Sequence, residues 1–150
     1  MRAKLVCSSC KSEFPITEKI WRCPNCGEYL KISYTVEDIQ LTKSMLKERT
    51  LSMWRYRELL PVLSNDIITL GEGITPLINF EDSSFPNLKF KLDYINPTGS
   101  FKDRGASLSV TRLKAIGVNE IIEETSGNAG SALAAYSAKA GIKCTIYTPA

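Results

Sequence analysis

The chain has 150 residues, which allows one domain of ordinary size or a small domain with part of a second. Its 43% hydrophobic and 23% charged residues are typical of a soluble globular protein, and a net charge of +3 is too small to argue for nucleic-acid binding by itself. No apolar run approaches the ~20 residues that a membrane span needs. The first residues lack the apolar segment of an export signal, which predicts a cytoplasmic protein. Because there is no histidine, acid–base chemistry would have to use lysine, a carboxylate, tyrosine, a cofactor or groups outside these residues.

Four cysteines near the start form two pairs, each with two residues between its members, and twelve residues separate the pairs. This spacing can close a tetrahedral shell of four thiolates around Zn²⁺, and reduced cytosolic thiols hold metal more often than they form disulfides. The predicted ligands are Cys7, Cys10, Cys23 and Cys26. After Gly27, which allows the tight turn of a knuckle, alternating apolar residues over 29–36 predict a strand with one covered face. Residues 1–36 are therefore interpreted as a small zinc ribbon. A ribbon that folds without metal and a redox cysteine pair are the alternatives.

The surface of this ribbon is mildly basic. It carries six lysine or arginine residues and three glutamates, a net charge of +3. Trp21 could stack on a nucleic-acid base. The simpler interpretation, which we favour, is that the ribbon is a structural cap and that Trp21 packs over the knuckles. We therefore do not expect nucleic acid as a partner.

The next segment, residues 37–88, is predicted to be an arm of helical and extended pieces. Residues 37–47 are charged and have a weak helical period. Residues 52–60 predict a short helix that a proline ends. Within this helix, Trp54 and Tyr56 are expected to be packing anchors.

The last part, residues 89–150, alternates strand and helix patterns. Strands are predicted at 89–94, 120–124 and 142–147, and an amphipathic helix ended by glycine lies in each gap. The apolar helix faces are predicted to contain Ala106, Val110 and Leu113 in the first helix and Ala129, Leu133, Tyr136 and Ala140 in the second. The short links imply three parallel strands with right-handed crossovers, which is an α/β fold. The lone Cys144 is expected to be a buried apolar residue.

Two loops of unusual composition, 96–105 and 125–130, each lead from a predicted strand into a helix. Ligands bind beyond the carboxyl ends of parallel strands, so both loops should face one crevice. In the first loop Ser100 is a good N-cap, which puts Lys102 in the first helical turn. A helix N-terminus disfavours a cation by up to ~1 kcal/mol and so favours the neutral, nucleophilic amine. The alternative is a lysine that points into water beside Asp103.

The second loop offers groups that suit an anion. Gly127 and Gly130 allow the backbone to approach a ligand closely, and exposed N–H groups at a helix start favour a carboxylate. Asn128 adds an amide donor. Taken alone, the loop fits an ordinary glycine-rich turn equally well. Beside Lys102 it indicates a binding site.

The first loop reads Asn-Pro-Thr-Gly-Ser-Phe-Lys-Asp-Arg-Gly, and this decamer resembles the lysine motif of the pyridoxal-phosphate enzymes built like the tryptophan synthase β-subunit. Among them it is most similar to the threonine synthases. Residues 54–61 resemble the arm that precedes their catalytic domains. Residues 70–77 resemble their Gly-Glu-Gly-Asn-Thr-Pro-Leu signature, with Ile74 in place of the polar residue. Asp93 stands where the family usually has glutamate. Archaeal and bacterial members often begin with a similar cysteine ribbon, which supports the structural cap.

The resemblance implies a role for residues of both loops. Lys102 would attach pyridoxal 5′-phosphate as a Schiff base and move protons during the reaction. Asn128 would hydrogen-bond the 3′ oxygen of the cofactor, and Phe101 would also contact the cofactor. The groups that the resemblance assigns to the substrate, and above all to its carboxylate, are Ser100, Thr125, Ser126, Gly127 and Ala129.

The implied enzyme converts O-phospho-L-homoserine and water to L-threonine and phosphate, so its small-molecule partner is an amino-acid phosphate, and family members commonly form homo-oligomers. The resemblance covers less than half of such an enzyme, and the family's glycine-rich loop for the cofactor phosphate is not found in this sequence. We therefore expect a zinc-ribbon-like module at 1–36, an arm at 37–88 and a partial catalytic domain with an incomplete parallel sheet at 89–150. Together they would form an N-terminal portion that is inactive alone.

Three alternatives stay open. The chain could belong to a sister activity on the same fold, such as cysteate synthase or threonine/serine dehydratase, although the cysteine ribbon argues against a dehydratase. A second chain could carry the rest of the catalytic domain. The chain could also be a non-catalytic ribbon module that binds nucleic acid or protein through residues 1–36.

Overall fold

The computed structural model describes residues 2–37, 39–62 and 64–149. The chain forms two compact units. The first contains Met1–Arg49 and Tyr56–Leu63, and the second contains Thr50–Arg55 and Ser64–Ala150. The three modules expected from the sequence, at 1–36, 37–88 and 89–150, stay predictions. Among the described residues, no helix combines the length and apolar character that crossing a membrane requires.

The first unit is built on a three-stranded antiparallel sheet. Strand β1 (Arg2–Cys7) lies between β2 (Glu13–Pro15) and β3 (Leu30–Thr35). The register sets Leu5 of β1 opposite Phe14 of β2 and Ile32 of β3. Apart from Pro61, the buried residues described in this unit are Leu5, Cys7, Ile16 and Cys23. Since two of these four are cysteines, the interior of this unit is small and depends on the cysteine cluster.

Two predictions about the ribbon surface are wrong. The strand expected at 29–36 is present as β3, but its apolar face is open: Ile32, Tyr34 and Val36 are 41–44% exposed. Trp21 does not pack over the knuckles, because its side chain is 74% exposed and the Arg22 guanidinium lies 4.9 Å from the ring centre. The alternating pattern alone could not reveal these exposures, because a unit with so small a three-stranded sheet has too few other residues to cover both of its faces.

The helices described in the arm are short. Helix α1 (Lys43–Lys47) begins at Thr42, whose hydroxyl accepts a hydrogen bond from the Met45 amide at 3.3 Å. The charged segment in which it lies includes Asp38, which is outside the described residues. The helix expected at 52–60 is a 3-10 helix at Met53–Leu59, kinked at Tyr56. Trp54 is buried, as expected of an anchor, whereas Tyr56 is 37% exposed.

The second unit contains two separate pairs of strands. Strands β4 (Leu77–Asn79) and β5 (Lys89–Lys91) pair antiparallel. Strands β6 (Glu120–Glu124) and β7 (Lys143–Tyr147) pair parallel, in a register that runs from Glu120 opposite Lys143 to Glu124 opposite Tyr147. The expected strands at 120–124 and 142–147 are therefore confirmed. The mixed α/β architecture is confirmed as well, but the three-stranded parallel sheet is not.

The expected parallel strand at 89–94 is wrong. After β5 the chain turns into a 3-10 helix at Asp93–Ile95. Arg104 donates to both Asp93 carboxylate oxygens, at 3.0 and 2.9 Å, and the Thr75 hydroxyl donates to the same carboxylate at 2.6 Å. These bonds pull Asp93 out of an extended path. The alternating pattern could not show this, because the partners of Asp93 lie 11 and 18 residues away.

Two helices form the core of the second unit. Helices α2 (Lys102–Ala115) and α3 (Asn128–Ala140) pack against each other and enclose Val110, Ala132 and Tyr136, all fully buried. The predicted faces are confirmed except at Ala129, which is half-buried and not part of the core, and Leu113 and Leu133 are partly buried at its edge. Gly141 ends α3 in the left-handed conformation, with φ of +68°. Cys144 is half-buried rather than fully buried.

Substitution of Gly73 should destabilise the second unit. Gly73 has φ of +116°, and a Cβ atom there would lie 2.7 Å from the backbone nitrogen of Met53. Gly73→Ala is therefore expected to lower the free energy of unfolding by at least about 2 kcal/mol in urea denaturation. Gly105→Ala is the matched control, because its Cβ would meet no atom within 4 Å. Because alanine is favoured over glycine inside a helix, Gly105→Ala should raise the free energy of unfolding by about 0.5–1 kcal/mol. Equal stabilities of the two variants would contradict the close approach of Met53.

The Asp93–Arg104 pair should make stability depend on pH. Hydrogen bonds from Arg104 and then from Thr75 lower the pKa of Asp93 from 3.8 to about 2. Because the folded pKa lies below the unfolded one, the stabilisation is complete above about pH 4 and is lost as pH falls toward about 2. Asp93→Asn should cost roughly 1 kcal/mol at neutral pH, and the difference from the unsubstituted chain should vanish near pH 2. The control is Glu120→Gln, which removes a more exposed carboxylate paired with Lys143. A constant difference across pH would refute the assignment.

Candidate active site and metal centre

The lysine loop is a tight turn held by the first turn of α2. The Gly99 amide donates to the Asn96 carbonyl at 2.8 Å, and Gly99 has φ of +83°. The fully buried Asp103 accepts hydrogen bonds from the Thr98 amide, at 2.8 Å, and from the Thr98 hydroxyl. A carboxylate in the first turn is also favoured by the helix dipole. Asp103 therefore holds the loop through Thr98.

Lys102 is the first residue of α2, as expected. Its amide donates to the Ser100 hydroxyl at 3.2 Å, although the capping position itself is taken by Phe101. The Lys102 ammonium lies 4.9 Å from the centre of the exposed Phe101 ring. The lysine lines a cavity of about 400 Å³ between α2, β6 and the start of α3. Lining residues include Ser109, Leu113, Ile121, Glu123 and Ala129.

The second loop joins β6 to α3. The Thr125 amide donates to the Tyr147 carbonyl at 2.9 Å, and the Thr125 hydroxyl accepts a bond from the Gly127 amide at 3.3 Å. Thr125, Ser126 and Gly127 line a second cavity of about 310 Å³. A Cβ on Gly130 would lie 2.5 Å from the Thr125 methyl, whereas one on Gly127 would meet no atom within 4 Å. Gly130 thus allows α3 to pack closely on Thr125, and Gly127 leaves its backbone open.

The predicted site residues fall into three groups. Lys102 and Ala129 share the first cavity, and Thr125, Ser126 and Gly127 share the second. Ser100, Phe101 and Asn128 lie at the starts of α2 and α3, with Ser100 buried. The two loops lead into helices that pack together, but their residues are divided between two cavities, so the expectation that both loops face one crevice is not confirmed. The individual roles of these residues stay predictions.

Sequence reasoning missed Arg104 as an anchor of the site. Its guanidinium pairs with Asp93 and also donates to the Gly73 carbonyl at 2.9 Å. Arg104 lies two residues after Lys102 and thereby joins the start of α2 to the turn at 71–75. The only signal in the sequence was the presence of an arginine within the decamer, with nothing to identify its partner.

The four cysteines of the first unit come together. Their sulfur atoms all lie within 4.8 Å of one another, with Cys7 and Cys23 buried and Cys10 and Cys26 exposed. Backbone hydrogen bonds form the knuckle turns. In one of them the Gly27 amide donates to the Cys23 carbonyl at 2.8 Å, and Gly27 has φ of +77°. Hydrogen bonds from Ser12 lower the pKa of the Cys10 thiol to about 6. Four thiols in this arrangement can hold a metal ion.

Comparison with known proteins agrees with the lysine loop. The family described as "Pyridoxal-phosphate dependent enzyme" matches residues 68–150. Similar curated proteins are threonine synthases. That of Methanosarcina acetivorans is 37% identical over 97% of this chain, that of Methanocaldococcus jannaschii is 39% identical over 95%, and that of Halalkalibacterium halodurans is 43% identical over 66%.

These relatives are longer proteins. The chain spans 37% of the length of each of the first two relatives and 30% of the third. The family match contains both loops, with Lys102 and Asn128, and it ends at residue 150. The expected resemblance to part of a threonine synthase is therefore confirmed, and the chain belongs to the pyridoxal-phosphate-dependent enzymes.

Proposed function

We propose that the second unit supplies the lysine side of a pyridoxal-phosphate site in a threonine-synthase-like enzyme. The observation that carries the proposal is the position of Lys102, at the N-terminus of α2 and in a cavity shared with Ala129 at the start of α3. The lysine lies within the segment that matches the family.

The residues present fit such a cofactor on this side. The cavity volume of about 400 Å³ lies in the range of ~300–1,000 Å³ that is usual for small-molecule sites. Its walls are apolar at Leu113, Ile121 and Leu133, which would exclude water from a bound ring. Lys102 would attach the cofactor, and Asn128 would bind its 3′ oxygen. When bound, the cofactor would supply an electron sink for charge that develops on the substrate.

The chain's own groups would then have distinct tasks. The Lys102 amine would carry protons between substrate carbons. The Gly127 backbone and the hydroxyls of Thr125 and Ser126 would hold the substrate carboxylate, and the start of α3 suits an anion. Ser100 and Phe101 would contribute from the start of α2.

For the whole protein we propose conversion of O-phospho-L-homoserine and water to L-threonine and phosphate. The support is that the relatives are named threonine synthases. Groups for the cofactor phosphate and ring nitrogen would come from the rest of a catalytic domain, on the same chain or on a second one, so residues 1–150 alone would not turn over. Cytoplasmic location and a homo-oligomeric state stay predictions. Three assays distinguish the sister activities. Phosphate release would indicate a threonine synthase, deamination of L-threonine or L-serine a dehydratase, and formation of cysteate a cysteate synthase.

We also propose that the cysteine cluster holds a structural zinc ion. The support is the mutual distance of at most 4.8 Å between four sulfur atoms that come from two knuckles. A small interior around Leu5 and Ile16 would gain much of its stability from such an ion.

Removal of the Lys102 amine should abolish covalent attachment of the cofactor. The full-length protein, incubated with pyridoxal phosphate and reduced with borohydride, is expected to gain one pyridoxyl group at Lys102, and Lys102→Ala should gain none there. Intact mass and peptide mapping measure this. Lys143→Ala is the control, because that lysine is 71% exposed and pairs with Glu120 outside the cavity. If the Lys102→Ala variant takes up as much label as the unsubstituted protein, at another lysine, the proposal is refuted.

Loss of a buried cysteine should release the metal. Cys7→Ser and Cys23→Ser are each expected to lose most of the bound zinc, because a three-thiolate shell is incomplete. Elemental analysis of the purified protein measures the zinc content. Cys144→Ser, which changes a cysteine of the second unit, should retain it. Unchanged zinc in the first two variants would overturn the ribbon assignment.

A further inference from the structure

The turn at residues 70–73 carries a fully buried carboxylate, that of Glu72. Its oxygens accept hydrogen bonds from the Trp54 indole at 3.0 Å, the Thr69 hydroxyl at 3.0 and 3.1 Å, the Leu70 amide at 3.0 Å and the Tyr136 hydroxyl at 2.8 Å. All four donors are neutral groups. A buried carboxylate is costly unless such donors replace water.

The donors are sufficient to keep the group charged. Burial raises the pKa of Glu72, but hydrogen bonds from groups such as the Tyr136 hydroxyl and the Leu70 amide lower it by more, so that it lies below its ordinary value. Burial also raises the pKa of Tyr136, whose hydroxyl therefore stays protonated and donates. Removal of the carboxylate would leave buried donors without an acceptor.

The carboxylate connects both helices of the second unit. Tyr136 belongs to α3 and reaches Glu72 directly. The Trp54 indole is shared between Glu72 and the Ser107 hydroxyl of α2, at 2.8 Å, and Ser107 in turn donates to the Ile68 carbonyl at 2.8 Å. Tyr136 and Ser107 are fully buried. One acidic group thus ties α2 and α3 to the same turn.

The attachment lies away from the lysine cavity. Lys102, Gly105, Ala106 and Ser109 line the cavity from one face of α2, and Ser107 points from a different face. Glu72 is therefore not a catalytic residue, since it touches none of the cavity-lining groups through the bonds above. Its influence on the cavity can act only through the two helices.

We propose that Glu72 is a positioning residue, which fixes α2 relative to α3 and so sets the opening between Lys102 and Ala129. The inference rests on the proposed function for the identity of the cavity as the cofactor site. Glu72, in the Gly71-Glu72-Gly73 turn, would thus fix the two helices relative to each other, a role that the loops at 96–105 and 125–130 do not have.

The test uses the full-length chain with Glu72→Gln and Tyr136→Phe. The second variant removes only the bond to α3 and keeps the ring in the core, so it remains informative if the first fails to fold. Glu120→Gln, which removes an exposed carboxylate of the same unit, is the control. Far-UV circular dichroism establishes folding. Residual dipolar couplings measure the orientation of α2 relative to α3, and reduction with borohydride measures the rate of pyridoxal-phosphate labelling at Lys102.

The folded Tyr136→Phe variant is expected to show a changed helix orientation and labelling of Lys102 slowed roughly tenfold or more, with the control unchanged. An unchanged orientation, or a changed orientation with labelling at the original rate, would overturn the positioning role. If the unsubstituted chain takes no label while the variant helices reorient, the proposed cofactor site fails and the control of helix orientation by Glu72 stands. The two failures are therefore distinguishable.

Discussion

The second unit depends on an ionised carboxylate that has been removed from water and whose hydrogen-bond donors, among the residues that the structure describes, are all neutral. Glu72 is tolerated in the interior because Trp54, Thr69, Tyr136 and a backbone amide surround it with donors. These donors come from three parts of the chain, because Thr69 and the Leu70 amide belong to the same stretch as the carboxylate. The turn at 70–73, the arm residue Trp54 and helix α3 therefore have to meet at one point. The Met53 amide, which donates to the Glu72 carbonyl at 2.9 Å, adds a backbone bond to the same junction.

The two charged residues that follow Lys102 both support the site. Asp103 accepts two hydrogen bonds from Thr98 and so shapes the loop before the helix. Arg104 pairs with Asp93 and binds the Gly73 carbonyl, which fixes the helix start to the turn beside Glu72. Three consecutive charged residues thus have different tasks. The two neighbours hold the first turn of α2 in place, and the lysine side chain faces the cavity.

Local patterns predicted those features whose causes are local. The cysteine spacing led to four sulfur atoms within 4.8 Å, and the 3.6-residue period located Val110 and Tyr136 in the core. The failures share a different cause. Residues 89–94 alternate like a strand, yet Asp93 is drawn into a turn by Arg104, and the bonds of Glu72 reach a tyrosine 64 residues away. A single glutamate between two glycines is not part of a periodic or regularly spaced pattern, so the sequence alone could not predict that it is buried. Likewise the exposure of Trp21 depends on how little of the ribbon is available to cover it.

The two departures from the threonine-synthase pattern can be judged by the same contacts. Ile74 replaces a polar residue in the turn, and its side chain is 45% exposed. Arg104 holds this turn through the Gly73 carbonyl and reaches the Thr75 hydroxyl at 3.4 Å, so the anchor does not use the side chain at position 74. Asp93 is one methylene shorter than glutamate, yet both its oxygens are within 3.0 Å of Arg104. The shorter acid thus retains the two-point pairing that holds α2 at the turn, and the position of Lys102 does not require the longer one.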